Sequence, residues 1–499
     1  MTAPGVWTQY STIAPFLGTL PGWVPALDKQ RIASYLKYDQ IYWSGEEGFE
    51  QILRGDNENP IFLPTPRTLV NTLDRYTCPQ FSYRIEGTGT PAQVVDLALK
   101  ALFEREMFVS LFNAFKREGG KLGDALLHIV ADLEKPLGRR LSLYKVDPAA
   151  YFPVYDIDDP NKIVKVHLAE PITENGKEFV SRLTYEKVVN PDGSATIIRS
   201  HGVFKTENWW DLLSPERVIL SPEPLDPLIQ AIPVYHYKNG DPTQPFGSSH
   251  LRGLESVFAG INQSISDEDL TLALEGLGVY ATDGGAPVDA DGNETTFVLG
   301  PGRFITNANG LRRVTGVGSV TPYGDHIDRM EDSAYTSVGA SDVALGKDTS
   351  AEAGIALQIR LGPIMATTQH NDDELVALMT QFFFDLQFWL QVYEELPLIT
   401  EVDGVTQPFV KVVPVIGQKM PINLTEVINQ IVALRNCVPP VISIRTSLSL
   451  LRAAGMQIPE DEEAQLTTEA SASLDPLGEM GLAGEEASDE ARVGEELGV

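Results

Sequence analysis

The sequence predicts an α+β fold, and three observations predict it. Apolar residues recur at helical spacing through much of residues 27–132. Residues 141–204 then alternate polar and apolar side chains in runs divided by turn signals, as antiparallel strands do. From 247 to 396 the pattern returns to long helices, two of which flank a Gly/Asp-rich insert at 278–320. Helices that leave and re-enter one region around a compact insert make a stalk with a tip. With 499 residues and 43% hydrophobic content, the chain has room for several subdomains and an ordinary core.

The elements follow in order. Residues 1–26 carry Pro4, Pro15, Pro21 and Pro25 among scattered aromatics and read as an N-terminal arm. A helix is expected over 27–43, with Ile32, Tyr35 and Leu36 on one side. Another starts near Thr65, an N-cap residue followed by Pro66 at the first helical position. FSYRIEG alternates as a short strand. Val94, Leu97, Ala98, Ala101, Leu102 and Met107 mark a helix that Gly119 and Gly120 stop. KLGDALLHIVAD either continues as a short helix or turns into a strand. LSLYKVDPAAYFPVYD, KIVKVHLAEPI, FVSRLTYEKVV and SATIIRSHGVF read as consecutive strands of one meander, and AIPVYHYKNG as one strand more.

On the helix expected over 247–277, Leu251, Leu254, Phe258, Ile261, Ile265 and Leu272 are spaced by 3, 4, 3, 4 and 7. Such a narrow stripe packs helix on helix, within a chain or between subunits. Asp267, Glu268 and Asp269 form an acidic run beside it. The next helix shows Tyr323, Ile327, Met330, Ala334 and Val338 on one face, with Asp325, Asp328, Glu331 and Asp332 away from it. A small-residue loop, SDVALGKDTSAEAG, leads into a helix over 355–396 that Pro363 should kink. QPFVKVVPV is a strand. LTEVINQIVALRN and SIRTSLSLLRAAG are short helices, the second stopped by Gly455.

The net charge of −31 is unevenly spread. Residues 460–499 hold thirteen acidic residues and one Arg, which leaves about −19 on the remainder. Rich in Gly, Ser and Ala, residues 459–499 are expected to form a disordered acidic tail. A body this acidic argues against a basic groove that grips nucleic acid, because duplex affinity comes largely from neutralised phosphates. It leaves room for DNA that passes without being held. The N-terminus has no basic stretch before an apolar run, so no signal peptide is expected. The most apolar window, 375–393, is interrupted by Asp385 and several Gln and fails as a membrane span. Cys78 and Cys437 lack metal-ligand spacing and read as unpaired thiols of a cytosolic chain.

No constellation carries chemistry. Ser248, Ser249 and His250 lack the Gly-x-Ser-x-Gly elbow and read as helix caps. His370, Asp372, Asp373 and Glu374 crowd together as HNDDE, but a metal would need ligands from further elements, so a solvated interruption of a helix is expected. GPGRFITNANG fits neither the dinucleotide nor the P-loop pattern, and Asn309-Gly310 is a hairpin signal. Arg312 and Arg313 beside it meet an acidic partner or are simply solvated. Lys135, Arg139, Arg140 and Lys145 read as a solvated strand end. Asn262, Asn293 and Asn423 sit in glycosylation sequons, which mean little without a secretory signal. No enzyme, cofactor or metal is expected; the rival class is a cytosolic hydrolase with an acidic site at HNDDE or at the serines beside His250.

Taken together, PTPRTLVNTLDRY, KLGDALLHIVAD with LSLYKVDPAAYFPVYD, AIPVYHYKNG with PFGSSHLRGLESVFAGINQSISDEDL, and SDVALGKDTSAEAGIALQIRLGPIM resemble, in their order and spacing, the portal proteins of tailed bacteriophages. The resemblance covers roughly residues 27–458. It implies a portal-type fold: wing (27–246), first stem helix (247–277), clip (278–320), second stem helix (321–340), tunnel loop (341–354), kinked wing helix and strand (355–419) and helical crown (420–458). The arm and the tail have no counterpart in it. It implies a homo-oligomeric ring of twelve subunits at the capsid vertex of a virion, assembled in the host cytoplasm. Double-stranded DNA passes through such a ring without sequence specificity, and terminase docks on it before the head–tail adaptor does. Major capsid and scaffold proteins are its other partners; no membrane is involved. Asp267, Asp269, Asp325, Asp328 and Glu331 would then line the channel. Lys347, Asp348, Thr349 and Ser350 would form the tunnel loop, with Lys347, Thr349 and Ser350 touching the DNA backbone. Arg303, Arg312 and Arg313 would contact a partner from the clip. Another virion component, a minor capsid or adaptor protein, is the alternative.

Overall fold

The computed structural model describes residues 22–466 except 46–47, 50–59, 88, 160–161, 192, 208, 211–214, 242, 278, 282–311, 315–320, 348–353, 403–404, 418, 420–423, 438–440, 454–457, 459–461 and 463–464. The arm before residue 22 and the tail after 466 therefore lie outside the described residues. The chain divides into two compact units, Met1–Ile416 and Gly417–Val499.

The first unit runs through α1 (Ala26–Trp43), α2 (Thr65–Tyr76), β1 (Ser82–Glu86), α3 (Thr90–Arg105), α4 (Phe108–Leu122), β2 (Asp124–Ala131) and β3 (Leu141–Val146). Then come β4 (Tyr151–Tyr155), β5 (Ile163–Glu174), β6 (Lys177–Val189), β7 (Ala195–Lys205), β8 (Arg217–Pro224) and β9 (Val234–Lys238). Next are α5 (Glu255–Leu277), β10 (Val279–Ala281), β11 (Arg312–Val314), α6 (Thr321–Ser337), α7 (Asp342–Leu345) and α8 (Gly354–Glu394). β12 (Ile399–Val402), β13 (Val405–Pro408) and β14 (Lys411–Val415) complete it, and the second unit holds α9 (Leu424–Arg435) and α10 (Ile444–Ala453). Helices with antiparallel sheets make the fold α+β.

β4 to β8 form the meander in chain order, but LSLYKV does not belong to it. That segment is β3, the edge of a separate sheet ordered β3-β2-β9. The reason lies in β2, whose side chains are buried on both faces, so that it needs a partner on each edge. Leu126 accordingly pairs with Val146 on one side and His236 on the other. The Asp147-Pro148 turn, where Asp147 Oδ1 accepts the Ala149 N–H at 2.8 Å, separates β3 from the meander. β1 pairs with β14 across most of the chain's length.

The helix expected through Met107 breaks there. Met107 adopts a left-handed conformation (φ 48°), and α3 buries Val95, Leu99 and Leu102 while leaving Leu97 and Met107 exposed. The break lets Phe103 and Phe108 stack with their rings 4.1 Å apart. Gly119 and Gly120, by contrast, do not stop α4, which continues to Leu122 and ends at Gly123 (φ 104°). A Cβ on Gly119 would lie 2.3 Å from the Tyr237 ring, so the residue is there for close approach to β9. Gly119→Ala is expected to cost about 2–3 kcal/mol, read from urea denaturation, because overpacking at a rigid ring forces backbone movement.

The core is aromatic. Leu375, Met379, Phe382, Phe383, Leu386, Trp389 and Leu390 of α8 are buried against the α3–α4 layer and the three-stranded sheet. Phe81 and Phe112 stack at 4.0 Å, and Phe108 lies parallel to Phe382 at 5.9 Å. Residues 359–394 are long and apolar enough to cross a bilayer by length and composition, yet this face is spent inside the fold.

Candidate functional site

α5 and α6, with the turn that follows them, form the candidate site, and the approach to α5 is built first. The helix does not start at 247; residues 248–253 are irregular and α5 begins at Glu255. The approach satisfies the carbonyls that end α4, which a helix terminus leaves without partners. His250 N–H donates to Gly120 O at 3.0 Å, and Ser249 Oγ to Lys121 O at 2.5 Å. Asn239 N–H donates to Gly123 O at 2.7 Å, and its Nδ2 to Ser248 O at 2.6 Å. Ser249 is therefore a fastener to α4 and Ser248 is tied to Asn239, and neither caps α5, which starts at Glu255. Burial pushes the His250 imidazole down to about 4.

At the centre of this clasp is Asp124. Its carboxylate accepts from Tyr35 Oη of α1 (2.5 Å), His236 Nε2 of β9 (2.6 Å) and the Gly247 N–H (2.8 Å). Burial works against its charge, but these donors win and hold its pKa below the ordinary value. Gly123 and Gly247 admit the close contact, since a Cβ on Gly247 would fall 2.0 Å from Gly123 O. Nothing in the periodicity of the sequence points to Asp124; its one signal is a carboxylate at the head of an otherwise apolar strand.

Along α5, Phe258 and Ile261 are buried, as are Leu251 and Leu254 ahead of it. Ile265 is half-buried and Leu272 is 49% exposed, so the stripe outruns its cover. Asn262 Oδ1 accepts the Leu63 N–H (3.0 Å) and Ser266 Oγ the Ile61 N–H (2.9 Å), which puts the first sequon inside the fold. Gly260 faces Met330 of α6, where an added Cβ would sit 3.4 Å from Sδ. On α6, Ile327, Ala334 and Tyr335 are buried, with Tyr323, Met330 and Val338 half-buried beside them.

The five acidic residues separate into two groups. Asp269, Asp325 and Asp328 are exposed. Asp267 is half-buried and accepts from Gln263 Nε2 at 2.9 Å. Glu331 lies at the edge of the packed face, because its Oε1 accepts from Thr65 Oγ1 at 3.0 Å. Thr65 is consequently not the N-cap of α2; Pro64 holds that place.

The turn after α6 is well defined up to Lys347. Ser341 Oγ caps α7 by accepting the Ala344 N–H, and Gly346 closes it in a left-handed conformation. Lys347 is not a lone cation: Nζ lies 3.5 Å from Glu331 Oε2 and 5.3 Å from the Tyr335 ring centre. Burial, helped by Glu331, pushes the Tyr335 phenol up to about 12. Gly339 (φ 75°) abuts α8 at its internal proline, where a Cβ would be 2.9 Å from Pro363 C and O. Asp348, Thr349 and Ser350 lie outside the described residues, as do Arg303 and Asn309-Gly310. Arg312 and Arg313 sit on β11, opposite Ala281 and Tyr280.

HNDDE is not a solvated interruption. Asp372 accepts the Cys78 N–H at 2.7 Å, Asn371 Oδ1 the Gly240 N–H at 3.2 Å, and His370 Nε2 approaches Gly240 O at 2.7 Å. The cluster fastens α8 to two turns whose backbone polar groups would otherwise be unsatisfied. Of the basic cluster, Lys145 is the one drawn inside, paired with buried Glu118; Arg140 donates to the Tyr393 carbonyl and pairs with exposed Glu395, Lys135 pairs with Asp132 at the surface, and Arg139 is exposed. Among the described residues no group of three or more His, Cys, Asp or Glu is placed to hold a metal.

No protein-family model matches the chain. No curated protein matches it either. Among solved structures, the chain is similar to one from the virion of a native gene transfer agent particle, with 14% identity, a TM-score of 0.40, and 86% of this chain and 94% of that one covered.

Proposed function

We propose that this chain is a virion structural protein and, more specifically, a portal subunit. It forms a ring of about twelve copies through which double-stranded DNA enters and leaves a capsid. The observation that carries the reading is the helix pair α5–α6. Its inner face is packed, its apolar stripe runs on uncovered to Leu272, and its open side carries Asp269, Asp325 and Asp328. An uncovered stripe suits a neighbouring copy, and a wall of carboxylates repels phosphates, so that a moving polyanion does not stick. Terminase, and afterwards the head–tail adaptor, dock at residues 278–320, with Arg303, Arg312 and Arg313 as the contacts. Capsid and scaffold proteins are the further partners, and the site of action is the portal vertex. The chain does no chemistry of its own in this reading, and the serines and HNDDE that a hydrolase would need hold loops and helices in place.

Lys347 remains the contact to DNA in this reading. A half-exposed ion pair with Glu331 is worth only about 0–1 kcal/mol, so passing phosphates compete for it readily. Particles assembled with Asp269→Lys, Asp325→Lys and Asp328→Lys together should hold about tenfold less DNA at low salt, with recovery as salt rises. Intact ring assembly is the control for these exposed positions. Unchanged DNA content at every salt concentration would remove the conduit reading.

A further inference from the structure

Apart from the α5–α6 site, the meander carries a cavity of about 440 Å3, within the size range of ligand sites. It is lined by β6, β7 and β8, by the turn after β2 and by Tyr393 at the end of α8. Leu183, Leu220 and Leu225 make much of its wall apolar. Leu133 also lines it and is 66% exposed, so the apolar surface reaches the outside. Set in this wall is Arg199, whose Nη2 donates to Glu223 Oε1 at 2.6 Å, so the charge has a counter-ion. The Arg199 Nε–H is buried and has no acceptor among the described residues. A buried donor left in this state is costly, and since Glu223 already meets the charge, what it lacks is a neutral oxygen.

The polar part of the lining is acidic. Asp132, Glu134, Glu223 and Asp226 against Arg199 give −3, or −2 with Lys135, which pairs with Asp132 at 3.8 Å. Burial, and then Arg199, push the His201 imidazole down to about 4, so it adds no positive charge near neutrality. A small carboxylate or phosphate would enter against this charge, and a neutral or cationic occupant would not. One margin of the cavity is suited to a polypeptide. β8 supplies Ile219, Leu220, Glu223 and Pro224 to the lining and is an end strand of its sheet among the described residues. An end strand presents backbone N–H and C=O groups on which another chain can pair, with alternate side chains falling over one face. Pro222 and Pro224 lack the N–H, which confines such pairing to Arg217–Ser221.

We infer that this cavity is a docking site for an extended segment of a partner protein, one whose apolar side chains are flanked by Lys or Arg. The segment pairs along Arg217–Ser221 and puts an apolar side chain into the cavity. It offers a backbone carbonyl to the Arg199 Nε–H and sets its cations against the carboxylates of Glu134 and Asp226, both exposed residues. The inference is independent of ring closure, because every group it uses belongs to one copy of the chain.

Calorimetry on the full chain with two end-blocked pentapeptides, KVLVK and EVLVE, tests this. KVLVK should bind about tenfold more tightly than EVLVE, by a margin that shrinks as salt rises. Glu134→Gln together with Asp226→Asn should narrow that margin to about threefold or less. Filling the cavity with Leu220→Trp should abolish binding, and so should Leu133→Asp at the exposed edge. Bound KVLVK should slow amide exchange at 217–221, and unaltered exchange of β2 certifies the fold of each variant. If Leu220→Trp disturbs β2, Leu133→Asp carries the test. Absence of KVLVK binding at about 1 mM overturns the proposal, as do equal affinities for the two peptides or binding that survives both cavity variants. If decanoate binds here and KVLVK does not, the site takes an anionic amphiphile and the proposal is wrong.

Discussion

Asp124→Ala is expected to cost about 3–5 kcal/mol of folding stability, the range for removing one partner from a buried charged network. Tyr35, His236 and the Gly247 N–H all donate to that carboxylate, and all three would be left buried without an acceptor. The loss reaches beyond the residue itself. α1, the β2–β9 sheet and the approach to α5 meet at this point, so the helix pair should lose its fixed angle to the sheet as well. Urea denaturation reads the stability, and exchange of the 247–254 amides reads the detachment. Asp124→Asn keeps an acceptor for Gly247 and should cost less than half as much. A loss below about 1 kcal/mol for the Ala variant would mean that the clasp is not what holds the stalk.

The second large effect is a loss of stability with rising pH. Burial, reinforced by the Glu118 carboxylate, pushes Asp147 up to about 8, and burial with Asp147 nearby pushes Glu170 up to about 9. The charged groups around them are Glu118 and Lys121 of α4, Lys145 of β3 and Asp39 of α1. Lys121 is itself raised, because Glu118 and Asp39 outweigh the effect of burial on its charge. In the unfolded chain both carboxyls have pKa values near 4. The folded state therefore binds more protons between about pH 4 and pH 9, and its stability declines across that window. The contribution is complete below the unfolded values and gone above the folded ones. Asp147→Asn with Glu170→Gln should flatten the decline and raise the melting temperature at pH 8 by several degrees, roughly 4 °C or more. A melting temperature that depends on pH equally in both proteins would contradict this.

How much of this was legible in the sequence depends on the kind of signal. The α+β class, the meander and the faces of α5 and α6 follow from periodicity, since burial on one side writes itself into the spacing of apolar residues. The sequence places LSLYKV in the meander and the structure in the β3-β2-β9 sheet, because strand pairing is long-range and the alternation is the same in either sheet. Gly119 and Gly120 read as a stop because glycine at a helix end and glycine under a tyrosine ring look identical without the ring. The largest gap concerns polar residues. Ser249, Asn371, Asp372 and Glu331 each bond a group far along the chain, at Lys121, Gly240, Cys78 and Thr65, and no local pattern encodes such pairings. The exposed Asp269, Asp325 and Asp328 were readable as a face because they sit opposite the apolar stripes. Glu331, which the same pattern includes, turns inward at the edge of that face.

The central claim is that copies of this chain close into a ring, and the mass of the purified protein in solution tests it most directly. The uncovered stripe ending at Leu272 predicts a single large species at about twelve times the 54.7 kDa chain mass, with Leu272→Asp shifting it to subunits that keep the wild-type melting temperature. A stable monomer of 54.7 kDa under every condition, unaffected by the same substitution, would contradict the account.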